Sequence, residues 1–263
     1  IARVLSEKIG MPVEVITGQL EGMNRSRLLD MEKALKKRVI GQNQAVERVC
    51  HRLCIAQAGL ARRRGPLGVF LFLGPTGVGK TELARSVASF LFGAERDLIR
   101  LDMSEFMEEH SSAKLIGSPP GYIGHEEEGQ LTGRLRSRPY SVVLLDEIEK
   151  AHPRVLDLFL QVFDEGRLTD AKGRTTDARN AIFILTSNIC PEKRAGIGFG
   201  ADSREEFKET VLQALQGQFR TEFINRIDEI TLFRPLDLAD VKAILEPMLE
   251  EVGQALRGKH AKL

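Results

Sequence analysis

The chain has 263 residues, of which 42% are hydrophobic and 29% are charged, which is the composition of a globular protein and excludes a disordered one. This length suffices for one large domain and a smaller one. Lysine and arginine number 38 against 37 aspartate and glutamate residues, so the chain has no overall field of one sign that would attract nucleic acid or an anionic membrane.

The first part of the chain predicts a lead-in followed by two helices. Residues 1–23 mix a helical pattern with Gly10, Pro12 and Gly18, which favours a linker. From residue 24 to residue 60 the apolar spacing is helical. It is interrupted at Val39-Ile40-Gly41-Gln42, where a glycine suits a turn between two helices.

The central part alternates short apolar runs with helical patterns. Residues 68–73 form an unbroken run rich in β-formers, as expected for a strand that is buried on both faces of a parallel sheet. Four similar runs follow at 98–101, 141–145, 181–186 and 229–233, and the helical patterns between them include 81–92 and 153–163. The alternation predicts an α/β fold, a three-layer sandwich around a parallel sheet of about five strands.

After Pro235 the strand pattern stops. Residues 238–256 predict one helix, which we interpret as the start of a second, helical domain. No apolar run approaches the roughly 18 residues of a membrane helix, and the beginning of the chain lacks the pattern of a signal peptide. We therefore expect a soluble, cytoplasmic protein without a membrane partner.

Three cysteines, Cys50, Cys54 and Cys190, are too few and too odd in number for a disulfide framework, which fits a reducing compartment. Cys50, His51 and Cys54 lie within about one helical turn and could suggest a metal site. Their surroundings have helical apolar spacing, so we expect cysteines that pack as small hydrophobic residues.

A phosphate-binding loop follows the first predicted strand directly. The residues Gly74-Pro75-Thr76-Gly77-Val78-Gly79-Lys80-Thr81 match the pattern G-x-x-x-x-G-K-[ST] in full. Glycines let backbone N–H groups surround phosphates, the lysine reaches the β- and γ-phosphates, and the Thr81 hydroxyl can bind Mg²⁺. The helix that Lys80 begins adds the positive end of its dipole.

An acidic pair ends the strand predicted at 141–145. Asp146 and Glu147 follow four buried-type residues, about 65 residues after the loop. A carboxylate at the carboxyl end of a strand beside the phosphate strand can hold Mg²⁺, and the next residue can orient and deprotonate a water. The pair predicts Asp146 as the metal-side group and Glu147 as the general base.

A polar residue also ends the strand predicted at 181–186. Asn188 follows this strand, and an amide at that position would lie beside the γ-phosphate and could sense or orient it. The sequence has no guanine-reading motif of the Asn-Lys-x-Asp kind, so the glutamate base indicates ATP hydrolysis rather than a GTP switch.

Taken together, these residues resemble the second ATPase module of the Clp-type AAA+ ring unfoldases and disaggregases. The resemblance covers nearly the whole chain, through segments 39–42, 74–81, 102–106, 121–124, 145–152, 166–170, 186–188 and 223–228. It implies an AAA+ large subdomain at residues 24–235 and the beginning of a helical small subdomain at residues 236–263. ATP and Mg²⁺ are the cofactors that it implies.

The resemblance also implies residue roles. Val39 and Ile40 are similar to the segment that packs on adenine, and Asn188 is similar to the first sensor. Arg226 resembles the arginine finger that reaches the γ-phosphate of the neighbouring subunit, where a permanent planar cation offsets charge in the transition state. Hydrolysis would then depend on assembly into a homo-oligomer, a hexameric ring in this family.

Two loops resemble the parts of the family that grip substrate. Tyr122, flanked by Gly121 and Gly124, is similar to the pore-loop aromatic, which would hold any unfolded or aggregated polypeptide without reading its sequence. The charged segment 170–177 is similar to the lower pore loop. The alternatives are a turn with a half-buried tyrosine and an ordinary solvated hairpin.

Two features depart from the family pattern or leave it open. The family's small domain continues past the end of this chain and has a second sensor arginine in a Gly-Ala-Arg context, which does not occur after Pro235. This favours a truncated small domain. Residues Ile197-Gly198-Phe199 resemble the tip with which some members dock a ClpP-type peptidase, and the alternative is a tip that packs under its own domain.

Three functions compete on these observations. The first is an ATP-driven unfoldase or disaggregase, with the peptidase-feeding subunit as its variant. The second is a nucleic-acid remodelling ATPase, suggested by Arg62-Arg63-Arg64 and opposed by the near-neutral charge balance. The third is a scaffold without enzymatic activity, which the intact Lys80 and Glu147 disfavour. We expect the first, with no nucleic-acid partner.

Overall fold

The computed structural model describes residues 25–57, 64–93, 97–118, 128–189 and 202–260. It begins with helices α1 (Arg25–Arg38) and α2 (Asn43–Gln57), which are separated by a turn at Gly41 with φ 81°. This φ is accessible to glycine at little cost. The predicted interruption at residues 39–42 is confirmed.

The remaining elements alternate along the chain. The strands are β1 (Gly68–Leu73), β2 (Leu98–Asp102), β3 (Val142–Asp146), β4 (Arg167–Thr169), β5 (Thr175–Asp177), β6 (Ile182–Ser187) and β7 (Glu229–Leu232). The helices are α3 (Lys80–Phe92), α4 (Ser112–Ile116), α5 (Thr132–Ser137), α6 (Pro153–Glu165), α7 (Asp202–Gln216), α8 (Thr221–Ile224) and α9 (Leu238–His260). Short 3₁₀ turns lie at Met103–Phe106, Glu109–Ser111 and Ile148–Lys150.

The central sheet has five parallel strands in the order β2-β3-β6-β1-β7. Leu73 pairs with Ser187, and Leu145 pairs with Leu185, so the strands end at nearly the same level. The loops after β1, β3 and β6 therefore meet at one edge of the sheet, where ligands bind in open α/β folds. The predicted parallel sheet of about five strands is confirmed.

One premise of the sequence interpretation is wrong. The strand that ends in Asp146 does not lie beside the phosphate strand, because β6 is inserted between β3 and β1. The strand that precedes Asn188 is the direct neighbour of β1. Strand order depends on which crossovers skip a position, and the run of apolar residues in each strand does not encode that choice.

Two hydrophobic cores lie on opposite faces of the sheet. Val69 and Leu71 belong to the core that α6, α7 and α8 cover, whereas Phe70 and Phe72 belong to the core that α1, α2 and α3 cover. Successive side chains of a strand point to opposite faces, so an unbroken apolar run supplies both layers. This is the predicted three-layer arrangement.

Cys50 packs in the second core as expected. Its side chain lies with Val46, Val49 and Leu53 on the buried face of α2. Burial raises the pKa of the Cys50 thiol to about 12, and it also raises the pKa of Cys54. Cys50 therefore behaves as a small hydrophobic residue.

The antiparallel hairpin β4–β5 was given in the sequence analysis only as the alternative for segment 170–177, and its strands were not among those predicted. Each strand has only three residues, which is too short for an alternating pattern to be recognised. The segment 170–177 thus includes the tip and second strand of a hairpin.

Helix α9 extends four residues beyond its predicted end at residue 256. It exposes several large apolar side chains, at Leu238, Leu245, Met248 and Leu249. The assignment of residues 236–263 to a second domain stays a prediction. Among the described helices, none combines the length and apolarity needed to cross a membrane.

Candidate active site

The phosphate loop joins the buried strand β1 to helix α3. Its three glycines have positive φ values, 148° at Gly74, 81° at Gly77 and 102° at Gly79. A Cβ atom at Gly74 would also lie only 2.6 Å from the carbonyl oxygen of Phe233. Side chains are therefore excluded by space at Gly74 and by conformation at Gly77 and Gly79. The first N–H groups of α3 are directed at this loop, as in anion-binding helix ends.

Lys80 is the first residue of α3, and only 7% of its surface is exposed. Its Nζ donates to the carbonyl oxygens of Gly74 and Pro75, the latter at 3.0 Å, and to Oδ1 of Asn188 at 2.8 Å. The ammonium group is thus fixed at the mouth of the loop by oxygen acceptors. A phosphate oxygen in the loop would meet the same charge.

Asn188 connects the phosphate loop to the acidic pair. Its Oδ1 accepts from Lys80 and from Oγ1 of Thr76 at 3.3 Å, and its Nδ2 donates to Oε1 of Glu147 at 3.1 Å. The structure therefore brings Lys80, Asn188 and Glu147 together, although 108 and 41 positions along the chain separate Asn188 from the other two.

Glu147 has a strained backbone. With φ 56° and ψ 53°, it is the one non-glycine residue in the described part of the chain with positive φ. Such a conformation costs on the order of 1 kcal/mol and is common at functional sites. Glu147 precedes the 3₁₀ turn Ile148–Lys150. Its carboxylate accepts a hydrogen bond from Asn188 on one side and pairs with Lys150 Nζ, at 2.5 Å, on the other.

Thr186 was missed by the sequence interpretation. Its buried hydroxyl donates to Oδ1 of Asp146 at 2.5 Å and accepts from the backbone N–H of Glu147 at 3.1 Å. The second oxygen of Asp146 pairs with Arg100 Nη2 at 2.6 Å. Thr186 therefore holds both acidic residues at the end of β3. In the sequence, a polar residue at the end of an apolar strand was the feature from which this role could have been predicted.

Glu149 was also missed. Its Oε1 accepts from the backbone N–H of Asn188 at 3.0 Å, while its Oε2 is buried and has no hydrogen-bond partner in the structure. The two residues lie 39 positions apart in the sequence. Glu149 thus fixes the backbone of Asn188, whose side chain contacts Lys80 and Glu147.

Charges of both signs surround the acidic pair. The hydrogen bond to Glu147 raises the pKa of Lys150, and hydrogen bonds from the Ser104 hydroxyl and N–H lower the pKa of Asp102. Asp102 pairs in register with Asp146 on the neighbouring strand. The carboxyl edge of the sheet therefore places several carboxylates beside Arg100 and Lys150.

The residues present fit a magnesium ion that is bound chiefly by nucleotide. The Thr81 hydroxyl and the Asp146 carboxylate are oxygen donors of the kind that Mg²⁺ prefers, and both groups are only half-buried. In the described residues, no group of three histidine, cysteine, aspartate or glutamate side chains is arranged to hold a metal. Mg²⁺ at this site would take its other ligands from phosphates and water.

The segment predicted to pack on adenine lies against the phosphate loop. Val39 is 2% exposed, and its Cγ1 would lie 3.6 Å from a Cβ atom at Gly79. Ile40 is half-buried. The side chain of Val39 therefore belongs to the core beside the phosphate loop.

Gln42 belongs to the segment 39–42 between α1 and α2, and no role was predicted for it. Its side chain is buried, and its Nε2 donates to the carbonyl oxygens of Val78 at 3.1 Å and Arg234 at 2.8 Å. Its Oε1 accepts from the N–H of Arg234 at 3.1 Å. Gln42 thus joins the phosphate loop to the segment that leads into α9.

Arg226 does not join this site. It precedes β7, and the N–H of Asp228 donates to the carbonyl oxygen of Val69, at the amino edge of the sheet. The phosphate loop begins five residues further along, which corresponds to about 16 Å of strand. Arg226 Nε forms an ion pair with Asp164.

The remaining predicted residues lie outside the described part of the chain. These are Tyr122 of the predicted pore loop, the tip Ile197-Gly198-Phe199, and Arg62 and Arg63 of the arginine cluster.

Comparisons with known proteins agree with this geometry. Residues 65–230 match the family model described as AAA domain (Cdc48 subfamily). The chaperone protein ClpB of Aquifex aeolicus is 51% identical over 269 aligned residues, which cover 100% of this chain and 26% of that protein. ClpB of Meiothermus ruber is also 51% identical, over 100% of this chain and 30% of its own length.

A similar fold occurs in a solved structure of the Saccharomyces cerevisiae Hsp104:casein complex in its extended conformation. The identity is 40% and the TM-score is 0.80, over 96% of this chain and 42% of that one. The chain thus spans well under half the length of these relatives. The matched region contains the phosphate loop, the acidic pair and Asn188, and so the chain belongs to the AAA domain family, as a Clp-type AAA+ ATPase module.

Proposed function

We propose that this module drives the unfolding or disaggregation of proteins by hydrolysing ATP within a hexameric ring that threads polypeptides through its pore. The observation that carries the ATPase part is the hydrogen-bonded group around Asn188, which joins Lys80, Thr76 and Glu147 at the carboxyl edge of the sheet. Such a group unites the phosphate-binding and water-activating residues in one place.

The chemistry follows from these positions. The N–H groups of the loop and Lys80 bind the β- and γ-phosphates and offset their charge. Mg²⁺, held near Thr81 and Asp146, would supply further neutralisation of the phosphate oxygens. Glu147 accepts a proton from the attacking water, with its carboxylate oriented by Asn188 and Lys150.

Arg226 completes the site of a neighbouring subunit in this proposal. Its guanidinium lies at the opposite edge of the sheet from its own phosphate loop and is half-exposed. A planar cation from outside would stabilise the charge that develops on the transferred phosphoryl group. Hydrolysis then requires an assembled ring.

The substrate class is inferred from the relatives and from Tyr122. The ClpB relatives are named chaperone proteins, and the Hsp104 structure contains casein. Tyr122 would contact the polypeptide in the pore. A cytoplasmic location and docking of a ClpP-type peptidase through Ile197-Gly198-Phe199 stay predictions from the sequence.

Substitution of the general base tests the ATPase part. We expect Glu147→Gln to bind ATP with near-normal affinity and to hydrolyse it roughly 100-fold more slowly or worse, because the amide cannot accept the proton. Calorimetry measures the binding, and phosphate release measures the rate. Hydrolysis at the wild-type rate would exclude Glu147 as the base.

Substitution of the aromatic ring tests the pore. In the full-length protein, Tyr122→Ala should keep ATP hydrolysis and lose the unfolding of a fluorescent substrate. Tyr122→Phe should retain both activities, because phenylalanine keeps the aromatic ring. If Tyr122→Ala unfolds the substrate normally, polypeptide threading by this residue is wrong.

A further inference from the structure

Two ion pairs join helix α6 to the segment that carries Arg226. Asp157 pairs with Arg220 Nη1 at 2.9 Å, and Asp164, two turns further along the same helix, pairs with Arg226 Nε. The exposed fractions of the four side chains lie between 43% and 65%. Ion pairs with this exposure contribute little to the free energy of folding. A role other than stabilisation of the fold therefore has to be considered for them.

The backbone on either side of Arg226 is already fixed by other contacts. Phe223 is 2% exposed in the core of the large subdomain. The carboxylate of Asp228, whose side chain is 1% exposed, accepts from the N–H of Val69 at 2.9 Å and pairs with Arg52 at 2.6 Å. Because the main chain is held on both sides, the freedom that remains at this position belongs to the side chain of Arg226.

The contact with Asp164 restricts that freedom in a defined way. A guanidinium group is planar and has its donors in a rigid fork, with one N–H on Nε and two on each Nη. Asp164 accepts from Nε, the inner edge of the fork. The outer edge, formed by the two Nη groups, is then presented away from α6 in one orientation, which suits bidentate contact with an anion.

We propose that Asp164 is a positioning residue, which orients Arg226 towards the γ-phosphate bound by the neighbouring subunit. This inference rests on the proposed role of Arg226 in trans. Asp164 does not touch the nucleotide and acts only through the guanidinium. Its effect is on the orientation of Arg226, and it leaves the binding of ATP to the phosphate loop of its own subunit unchanged.

The two ion pairs provide a matched comparison. Asp164→Asn and Asp157→Asn remove the same charge from the same helix, and each breaks one exposed ion pair with the same segment. Both are made in the full-length, assembled protein, alone and together with Arg226→Ala. Steady-state kinetics give kcat and the KM for ATP, and sedimentation gives the state of assembly.

We expect Asp164→Asn to lower kcat roughly tenfold and to change the KM for ATP by less than about twofold, because misorientation affects the transition state more than ATP binding. Asp157→Asn should keep kcat within about twofold of the wild type. In the Arg226→Ala background, Asp164→Asn should cause no further loss, since the group that it orients is missing.

Several outcomes would overturn the inference. Equal effects of Asp157→Asn and Asp164→Asn would indicate a general packing role, and an additional loss in the Arg226→Ala background would indicate a role independent of Arg226. A rise in kcat would mean that Asp164 withholds the arginine from phosphate. Loss of assembly in Asp164→Asn would place the residue in a subunit contact instead.

The proposed function fails in a different way. If Arg226→Ala hydrolyses ATP at the wild-type rate, the trans arginine itself is wrong. If Arg226→Ala hydrolyses ATP much more slowly than the wild type while Asp164→Asn is fully active, only the positioning role of Asp164 is wrong.

Discussion

Asn188 has more links to its surroundings than a sensor of phosphate alone requires. Its side chain contacts Lys80, Thr76 and Glu147, and its backbone N–H donates to Glu149. A shift of this backbone by a fraction of an ångström would disturb all three side-chain contacts. At the scale of single residues, we therefore predict that Glu149 affects catalysis. It acts through its hydrogen bond with the backbone of Asn188 and not through a hydrogen bond with Lys80 or Glu147.

This role is tested by two substitutions at the same position. Glu149→Ala should lower kcat for ATP roughly tenfold with little change in ATP affinity, because the N–H of Asn188 loses its acceptor. Glu149→Gln should retain most of the activity, since an amide oxygen also accepts from this N–H. Steady-state phosphate release measures both. Equal loss in the two variants would indicate that the charge of Glu149 matters and the hydrogen bond does not.

At the scale of elements, the hairpin β4–β5 is held to helix α5 by Asp170. This carboxylate is 6% exposed and accepts from the N–H groups of Lys172 and Arg174, from Arg174 Nε, and from Arg136 Nη2. Glu128 pairs with the same two arginines. The hairpin and the residue that follows segment 119–127 are thus tied by one charged network.

The network predicts a pH-dependent contribution to stability. Burial opposes ionisation of Asp170, but hydrogen bonds from Arg174 and Arg136 outweigh it and lower the pKa of this carboxyl to about 2. A lowered folded-state pKa stabilises the protein above the unfolded-state value, and this stabilisation is lost as the pH falls from about 4 towards 2. Asp170→Asn should therefore reduce the free energy of unfolding by about 1 to 2 kcal/mol at pH 7.

Urea unfolding measures this difference, with Asp177→Asn on the same hairpin as the exposed control. The deficit of Asp170→Asn relative to the wild type should be constant above about pH 5 and should shrink below pH 4. A deficit that is the same at pH 3 and pH 7 would be inconsistent with ionisation of Asp170 as its cause.

At the scale of the whole molecule, the two edges of the sheet carry different groups of residues. The carboxyl edge carries the phosphate loop, Glu147 and Asn188, and the amino edge carries Arg226 next to the start of β1. Helix α6 spans the distance between the two edges. It begins shortly after the 3₁₀ turn that follows Glu147, and its last turn carries Asp164, which pairs with Arg226. Glu147 and Arg226 of one chain therefore lie at opposite edges of the sheet.

Mixed assemblies test this division between subunits. Arg226→Ala subunits keep the base and Glu147→Gln subunits keep the arginine, so each variant alone should retain only a small residual activity. In a random equal mixture, about a quarter of the sites would combine an intact base with an intact neighbouring arginine, and activity should recover to roughly that level. A mixture that stays inactive would show that Arg226 acts within its own subunit.

Much of the site could be predicted because its parts are local in sequence. The phosphate loop is eight consecutive residues whose spacing follows from backbone geometry, and the acidic pair directly ends an apolar strand. The parallel sheet and the long helices α1, α2, α3, α6 and α9 were recognised from runs long enough to show a pattern, whereas the short helices α4, α5 and α8 were not predicted. The three-residue strands β4 and β5 were too short for this.

Contacts between distant residues were decided only by the tertiary structure. Gln42 bonds to Arg234, which lies 192 positions away, and Thr186 joins Asp146 and Glu147 across two strands. These contacts depend on strand order and register, which placed β6 and not β3 beside β1. The sequence by itself determined which chemistry is present, because that depends on residue types in short segments. The fold decided which of these residues meet, because a hydrogen bond between distant segments exists only at one relative position of their backbones.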